Sequence, residues 1–364
     1  MNNNKIFEKV KMKIAISNVQ EEDIEMNKSN KNIGKGIGIA ACVLVSMAGV
    51  TFATNYAVNK FGNNASKGVQ TAIENGYISE VNSNYKEANG ISVNVNSFVL
   101  DDYNFDISFN VKFNENYKIE DMLKMDIFDL KIVNEKGEKV FATRELESEE
   151  MQKLYKTEQE AKEKYENYSG SYSESCDKID DNEIRFNLTA TGNEKTFPES
   201  KKLIITFNKL RISKWIEDKN EETILSGNWN YEIDVPENMA KTNITNYKLK
   251  SISDENYKFE KAYCSNTAFK IYLNNCSGIS WNEKDCVENS KGEKFYPAQR
   301  SDGDGEISTN VDGTVKFHNT YNLTNYDATD TLKVHIYKAN GEEIIVEIER
   351  DKYDNWKNVA FYYK

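Results

Sequence analysis

The stretch that decides the fold is Ile91 to Phe113, ISVNVNSFVLDDYNFDISFNVKF. In its first half Ile91, Val93 and Val95 alternate with polar residues, and in its second half apolar residues again occupy every other position. Such alternation predicts two strands, each with one dry and one wet face. The segment from Asp101 to Asn104 is rich in turn-forming residues, so we expect an antiparallel hairpin.

Strand patterns of the same kind fill most of the chain. A second hairpin is predicted around Gly137, and further strands are predicted at Ile184–Leu188, Leu203–Phe207, Trp229–Val235, Tyr247–Ile252, Phe259–Ala262, Phe269–Leu273, Leu332–Ile336 and Ile344–Ile348. Strands at intervals of roughly 8 to 12 residues, without alternating helices, are typical of sandwich-like domains. We therefore predict a mainly β protein with two sandwich-like domains, residues 91–240 and 241–352.

Three other segments of the β region have a different character. Residues 146–168 are dense in Glu and Lys with a sparse apolar stripe, which predicts an exposed helical insertion in the first domain. The next segment, Ser169 to Asp181, has the composition of a flexible surface loop. The tail, residues 353–364, is interpreted as an added strand or a frayed end.

Two hairpin sequences resemble each other. They are VNEKGEKV, from Val133 to Val140, and VENSKGEKF, from Val287 to Phe295. The likeness indicates two related units. Shared turn chemistry can produce the same letters in unrelated hairpins, so both interpretations stay open.

The apolar run Gly36 to Val58, GIGIAACVLVSMAGVTFATNYAV, contains no charged residue. As a helix it would be about 34 Å long, enough to cross a hydrocarbon layer of roughly 30 Å. Interfacial residues flank it: Lys28, Lys31 and Lys35 before the run, and Tyr56 and Lys60 at its end. We predict a transmembrane helix at 36–58, followed at 59–90 by a juxtamembrane helix and connector.

Charge gives this topology a direction. Residues 1–35 carry seven lysines and five acidic residues, whereas the whole chain has a net charge of −12. By the positive-inside rule, the amino terminus faces the cytoplasm and the β domains are extracellular. The acidic bulk has no basic stripe, which argues against a nucleic acid partner.

A cleaved signal peptide is the competing interpretation of the amino terminus. Its apolar region would be Ile37 to Val50, with a small-residue cleavage site ending at Ala53. The preceding region is much longer than an ordinary signal peptide requires, so we favour a retained anchor.

The arm before the run contains a predicted amphipathic helix. Its apolar face consists of Ile6, Phe7, Val10 and Ile14. So short a helix needs something packed on that face, either the inner leaflet or a cytoplasmic protein. An acidic patch at residues 21–25 would be repelled by anionic lipid, which favours a protein partner.

No residue pattern predicts catalysis. The chain has two histidines, and His335 lies out of phase with the apolar residues of its strand, which indicates a solvent-facing or rim position. Nucleophile-elbow, Cys/His metal and phosphate-binding motifs are absent, so we predict a protein that is not an enzyme and has no cofactor. Asp302, Asp304 and Glu306 are weak candidates for a calcium site, and a plain acidic turn is the simpler interpretation.

Aromatic and sulfur residues leave two alternatives open. Trp215, Trp229 and Trp281 fit either a sugar-binding surface or ordinary packing. Cys42 falls within the apolar run, whereas Cys176, Cys264, Cys276 and Cys286 are scattered. They are interpreted as free thiols, with a disulfide among the last three as the alternative.

The arrangement resembles a known family. A Lys-rich arm, the span GIGIAACVLVSMAGVTFAT, the helix GVQTAIENGYI, the strand pair from Ile91 and the segment GNWNYEIDVPEN are similar to Firmicutes single-pass membrane proteins that carry a domain of unknown function and are described as anti-sigma-factor-like. The resemblance implies a membrane-anchored regulator that binds a cytoplasmic sigma factor. The arm lacks the His-x-x-x-Cys-x-x-Cys pattern of the zinc type.

Two functions follow from these features. The first is a membrane-anchored, non-enzymatic regulator or sensor whose extracytoplasmic β domains respond to an unknown ligand and whose arm holds a sigma factor or another regulator. The alternative is a cell-surface binding module for a carbohydrate or protein, either tethered by the anchor or secreted after cleavage.

Overall fold

Strands dominate the computed structural model, which describes residues 61, 65–115, 119, 122–143, 148–149, 153, 169–192, 196–216, 219–241, 243–298, 306–309 and 314–351. The prediction of a mainly β protein is confirmed. A helix, α1 (Lys67–Glu74), precedes the strands. The described residues all belong to one compact unit.

The strands follow one another in two groups along the chain. The first group is β1 (Ser79–Glu80), β2 (Lys86–Ala88), β3 (Ile91–Leu100), β4 (Asn104–Phe113), β5 (Met122–Ile127), β6 (Lys131–Asn134), β7 (Lys139–Ala142), β8 (Ser169–Lys178), β9 (Glu183–Gly192), β10 (Lys202–Ile216) and β11 (Lys219–Asp234). The second group is β12 (Thr245–Ile252), β13 (Lys258–Cys264), β14 (Phe269–Asn274), β15 (Cys286–Asn289), β16 (Lys294–Phe295), β17 (Glu306–Thr309), β18 (Val315–Tyr321), β19 (Thr331–Tyr337) and β20 (Glu343–Arg350). We call these groups the amino-terminal lobe and the carboxyl-terminal lobe.

The amino-terminal lobe is a sandwich of two antiparallel sheets. One sheet has the order β1-β3-β4-β9-β8, with β2 also paired to β3, and the other has the order β11-β10-β6-β7, with β5 paired to β10. Their inner faces meet where the rings of Phe109 and Phe207 lie edge to face, 5.9 Å apart. Trp229 is fully buried beside Phe207 and donates from Nε1 to the carbonyl of Lys86 at 3.1 Å.

The carboxyl-terminal lobe is a single curled sheet with the order β16-β15-β19-β20-β12-β13-β14-β18-β17. Residues just after β16 return to β18, which lies near the other end of this order. The amide of Ala298 donates to the carbonyl of Thr320 at 2.9 Å, and the amide of Asn322 donates to the carbonyl of Tyr296 at 3.0 Å. We call this contact the seam, because it joins the two ends of the sheet around one apolar core.

The two lobes share a pairing plan. The orders β7-β6-β10-β11 and β3-β4-β9-β8 of the first recur in the second as β16-β15-β19-β20 and β13-β14-β18-β17. The register agrees as well, since Asn134 lies opposite Leu203 and Asn289 lies opposite Leu332. β12 joins the two halves of the second lobe into one sheet by pairing with both β13 and β20.

The similar hairpin sequences fold identically in their hydrogen bonding. Asn134 Oδ1 accepts from the amides two and four residues later, at 3.0 and 2.9 Å, and Asn289 Oδ1 does the same at 3.0 and 3.1 Å. Gly137 and Gly292 have φ of +79° and +80°. The likeness therefore extends from the turn letters to the strand pairing around them, which supports the interpretation of two related units.

Several local predictions can be compared with the structure. The Ile91–Phe113 hairpin and the Gly137 hairpin are confirmed as β3-β4 and β6-β7. The predicted loop at Ser169–Asp181 is wrong, because most of it forms β8, an edge strand paired with β9. An edge strand is held by backbone hydrogen bonds and can be rich in serine, so it lacks the apolar alternation that identifies central strands.

Other predictions lie outside the described residues. They concern the run 36–58, the arm residues Ile6, Phe7, Val10 and Ile14, the metal candidates Asp302 and Asp304, the tail 353–364, Cys42, most of the insertion 146–168, and the side chains of Glu306 and Trp215. Within the described ranges, no helix has the length and apolar character needed to cross a membrane.

Candidate functional site at the junction of the two lobes

Two equivalent turns meet at the junction of the lobes. Asp101–Asn104 joins β3 to β4, and Ser265–Ala268 joins β13 to β14. In each turn the amide of the first residue donates to the carbonyl of the fourth, at 2.9 and 2.8 Å. The first side chain then accepts from the third and fourth amides, at 2.9 and 2.8 Å for Asp101 Oδ1 and at 3.3 and 3.1 Å for Ser265 Oγ.

Asp101 differs from Ser265 in having a second oxygen, and that oxygen crosses to the other lobe. Asp101 Oδ2 accepts from the Thr267 amide at 3.0 Å and from Thr267 Oγ1 at 2.5 Å. Asn104 Nδ2 donates to the same Thr267 hydroxyl. Asp101 is 6% exposed, and its side-chain oxygens accept four hydrogen bonds, two within its own turn and two from Thr267.

An asparagine cluster extends this contact. The amide of Asn243 donates to Asp102 Oδ2 at 3.3 Å, and Asn243 Nδ2 donates to Asn266 Oδ1 at 3.0 Å. Asn325 Nδ2 reaches the carbonyl of Asn243 at 2.8 Å. We call these residues, together with Asp101, Asn104 and Thr267, the latch. Each bond depends on the donor and acceptor lying within a few tenths of an ångström of their positions, so the latch fixes the relative position of the two turns.

A row of rings lies beside the latch. Tyr103 stacks on Tyr263 at 4.5 Å, and the Tyr263 hydroxyl lies 3.1 Å from that of Tyr272. Lys270, itself buried, places its ammonium 5.0 Å from the centre of the Tyr103 ring. Burial raises the pKa of Tyr103 and of Tyr263 far above the usual range, so both phenols stay neutral and pack as apolar rings with polar tips.

Helix α1 is built into this junction. Ser66 caps it by accepting from the Val69 amide at 3.2 Å, and its apolar face is buried in the core of the amino-terminal lobe. On another side the Gly68 amide donates to Asn322 Oδ1 at 3.1 Å, and a Cβ on Gly68 would lie 2.0 Å from the Thr267 carbonyl oxygen. Only glycine permits this approach, so α1 is held by both lobes.

The helix predicted within residues 59–90 is present as α1, which ends at Glu74. Val69 and Ile73 share the buried face, and Gly76 follows the helix with φ of +80°. Tyr77 is buried and donates to the carbonyl of Leu100 at 2.8 Å. The juxtamembrane position predicted for residues 59–90 stays a prediction.

The residues singled out from sequence do not gather at one place. His335 Nδ1 lies 2.9 Å from Glu343 Oε1, and its Nε2 lies 3.7 Å from Glu288 Oε2, on the outer face of the carboxyl-terminal lobe. Hydrogen bonds from His335 and Tyr337 hold the pKa of Glu343 below its usual value. In the described ranges no three His, Cys, Asp or Glu residues lie close enough to hold a metal ion.

The tryptophans and cysteines also separate. Trp229 is core, which corrects its candidacy for a sugar-binding surface, whereas Trp281 is 52% exposed against the ring of Phe317. The thiols of Cys176, Cys264, Cys276 and Cys286 are all free. The alternative interpretation, a disulfide among the last three, is therefore wrong. Burial raises the pKa of Cys264, which makes that thiol a small apolar side chain rather than a nucleophile.

Sequence reasoning missed the latch. Its members are short Asp, Asn and Thr side chains of the kind found in any turn, and nothing in one sequence shows that two turns distant along the chain meet. The available signal was the repeated hairpin, because a duplicated plan places a second turn like Asp101–Asn104 near residue 266.

Comparisons with known proteins found one distant structural likeness to report and no family. No protein-family model matches the chain, and no curated protein matches it. Among solved structures, a crystal structure of a conserved domain protein from Bacillus anthracis is similar, with 16% identity, 76% of this chain and 90% of that chain covered, and a TM-score of 0.40.

Proposed function

We propose that this protein is a membrane-anchored, non-enzymatic regulator or sensor. Its β lobes lie outside the cell, and its lysine-bearing arm holds a sigma factor or another cytoplasmic regulator. The apolar run Gly36–Val58 and the charge difference across it support the anchoring. The family resemblance described above supports the choice of partner.

The observation that carries the proposal is the position of α1. This helix follows the apolar run in the chain and is gripped by both lobes through Gly68, Asn322 and the Thr267 backbone. A ligand that favours one arrangement of the lobes would therefore change how tightly α1 is held. Such a shift requires differential affinity for the two arrangements, which a surface spanning two lobes can supply.

The arm is the output in this mechanism. We expect Ile6, Phe7, Val10 and Ile14 to bind a groove on the cytoplasmic partner by the helix-in-groove mode. Release or capture of the partner would follow from movement of the chain that connects the arm to α1.

Two experiments on the full chain in cells test the proposal. External protease should digest the β lobes of intact cells while a tag on residue 1 stays protected. A pull-down with the arm should recover a sigma factor or another regulator, and Ile6→Asp with Val10→Asp should abolish recovery, whereas the control Lys9→Ala should not. Protected lobes, or an arm that retains no cytoplasmic protein, would refute the proposal.

A tethered or secreted binding module is the second candidate. It is favoured by Trp281, whose side chain is half exposed, as carbohydrate-stacking rings must be. This candidate predicts that deletion of residues 2–30 leaves ligand binding intact and changes no transcript. The regulator predicts that the same deletion abolishes the transcriptional effect.

A further inference from the structure

The interior of the carboxyl-terminal lobe contains a polar trio. Asp285 and Tyr321 are 0% exposed and Asn319 is 3% exposed. Within the described part of the chain, Asp285 Oδ2 has no hydrogen-bond partner, and the Asn319 amide lies beside the Tyr321 hydroxyl without a well-aligned hydrogen bond between Nδ2 and Oη. Unsatisfied or poorly bonded buried polar atoms are costly and rare, so this group of three residues in one core requires an explanation.

The equivalent positions of the amino-terminal lobe are apolar. Leu130 precedes the turn residue Asn134 by four residues, as Asp285 precedes Asn289. Ala190 lies opposite Phe105 on β4, as Tyr321 lies opposite Phe269 on β14.

The third member of the trio follows the same register. Leu188 lies opposite Ile107, as Asn319 lies opposite Ile271. Leu130, Leu188 and Ala190 are all 0% exposed. The same pairing plan thus folds with an apolar trio in one lobe, so the polar trio is not a requirement of the fold.

Burial stabilises the neutral form of the Asp285 carboxyl, whereas two backbone hydrogen bonds favour its carboxylate, and burial is the larger effect. The Tyr337 amide donates to Oδ1 at 3.0 Å, and the backbone of Asn282 also donates to the carboxyl. Among the described residues, none of the ion pairs formed by Lys, Arg or His includes Asp285. Burial raises its pKa to about 7, so the carboxyl titrates near neutral pH.

The titratable neighbours of Asp285 are uncharged at that pH. They are the Cys286 thiol, the Tyr321 phenol and the Tyr337 phenol, and their pKa values are all raised. Charged groups lie on the outer face of the same strands, where Glu288, Glu343 and Lys294 surround Cys286. A charge on Asp285 would therefore be a buried anion beside neutral groups.

The trio lies next to the seam. Pro297 is bridged to Tyr321, and Asn322 donates through Nδ2 to the carbonyls of Tyr296 and Pro297 at 3.1 and 3.2 Å. The same Asn322 side chain accepts from Gly68 of α1. A displacement of Tyr321 would therefore disturb the seam directly. It would disturb α1 through the neighbouring residue Asn322.

We propose that the Asp285 carboxyl, together with Asn319 and Tyr321, makes closure of the carboxyl-terminal lobe depend on protonation. The neutral acid fits the closed seam, and the carboxylate loosens it and weakens the hold of Asn322 on α1. Only the consequence for signalling rests on the proposed function. The proton-dependent seam is a property of the lobe itself.

The sign of the effect follows from linkage. Below pH 4 the carboxyl is neutral in the folded and unfolded chains, and it contributes no pH dependence. As pH rises from about 4 to about 7 the unfolded chain ionises first, so the folded lobe loses stability, up to about a thousandfold in the folding equilibrium. Above about pH 7 the folded carboxyl ionises as well and the loss is complete.

Hydrogen exchange on the purified full chain tests this inference. After correction for intrinsic exchange rates, we expect peptides covering 296–298 and 320–322 to exchange at least tenfold faster at pH 8 than at pH 5.5. Peptides from β4 and β9 of the amino-terminal lobe should show no such difference. Exchange of α1 should follow the seam.

Matched variants identify the group. Asp285→Asn and Asp285→Leu should abolish the pH difference in exchange at the seam. The second variant introduces the residue found at the equivalent position of the amino-terminal lobe, Leu130. Asp330→Asn, which changes a surface acid of the same lobe, should retain the pH difference. If Asp285 variants fail to fold, Tyr321→Phe serves instead, and it should shift the midpoint of the pH difference.

Three results would overturn the inference: a seam whose corrected exchange is the same at both pH values, a pH difference that survives in Asp285→Asn, or a midpoint that Tyr321→Phe leaves unchanged. None of these outcomes depends on an anchor or a sigma factor. Failure of the proton device and failure of the proposed function are therefore distinguishable.

Discussion

The two lobes use one pairing plan to enclose different interiors. In the amino-terminal lobe two sheets face each other across rings such as Phe109, Phe207 and Trp229, and α1 adds its apolar face. In the carboxyl-terminal lobe one sheet curls round and is joined to itself at the seam. The first lobe is therefore stabilised by apolar packing between layers, whereas the second also depends on the bonds that close it.

The difference between the two interiors indicates which residues can make the fold sensitive to pH. The carboxyl-terminal lobe has Asp285, Asn319 and Tyr321 where the amino-terminal lobe has Leu130, Leu188 and Ala190, and the strands around them pair in the same order. Asp285 adds a group that titrates. Strand order is set by backbone pairing and the pattern of faces, whereas the response to conditions is set by a few core side chains. One lobe can thus act as a fixed frame for α1 while the other responds.

The strongest test of the comparison removes one equivalent ring from each core. Phe186 and Phe317 occupy matching positions on β9 and β18, and both are buried. Phe186→Ala and Phe317→Ala should each lower the free energy of unfolding by about 3–5 kcal/mol. Because all described residues belong to one compact unit, chemical denaturation should show one shared transition in both variants.

The exposed substitution Lys67→Ala, in α1, serves as the control and should change the midpoint little. Two separate transitions, one of which is unaffected by each variant, would show that the lobes unfold independently. That result would contradict the role assigned to the junction.

A smaller effect is expected at the two turns, Asp101–Asn104 and Ser265–Ala268. The comparison predicts that substitution at the first turn lowers the free energy of unfolding more than substitution at the second. Asp101→Asn keeps the turn but places an NH₂ group against the Thr267 amide and hydroxyl. Both donors lose Asp101 Oδ2 as acceptor, and the amide keeps only its longer bond to Ser265 Oγ. We expect a loss of about 2–3 kcal/mol. Ser265→Ala removes only bonds within its own turn and should cost about 1 kcal/mol.

A double-mutant cycle of Asp101→Asn with Thr267→Val separates the bond across the lobes from the turn itself. The coupling should be at least about 1 kcal/mol. Additive effects would mean that Asp101 acts only within its own turn, and the latch would then be a packing contact.

The predictability of each region follows from the range of its interactions. Ile91–Phe113 was correctly predicted as a hairpin because the alternation and the turn residues are local and agree with each other. β8 was not predicted because it is an edge strand, held by backbone hydrogen bonds to β9. Such pairing does not require an alternating apolar pattern in the sequence of the strand itself.

The functional residues were harder to find for the same reason. Asp285 looks like one acid among 59, and only its position in the core distinguishes it. Gly68 looks like a poor helix residue until the Thr267 carbonyl is seen against it. Sequence alone gives no pairing between residues so far apart in the chain.

The smallest predicted effect is one that should be equal in the two lobes. Gly137 and Gly292 have φ of +79° and +80° at matching turns, and a Cβ on either would meet nothing within 4 Å. Gly137→Ala and Gly292→Ala should therefore each cost only the local strain of the left-handed conformation, about 1–2 kcal/mol, measured by denaturation at pH 5.5. At that pH Asp285 is neutral, so a difference between the two variants cannot arise from its charge. If the losses in free energy of unfolding differ by more than about 0.5 kcal/mol, the turns are alike in sequence and backbone conformation but differ in how much strain they can relieve.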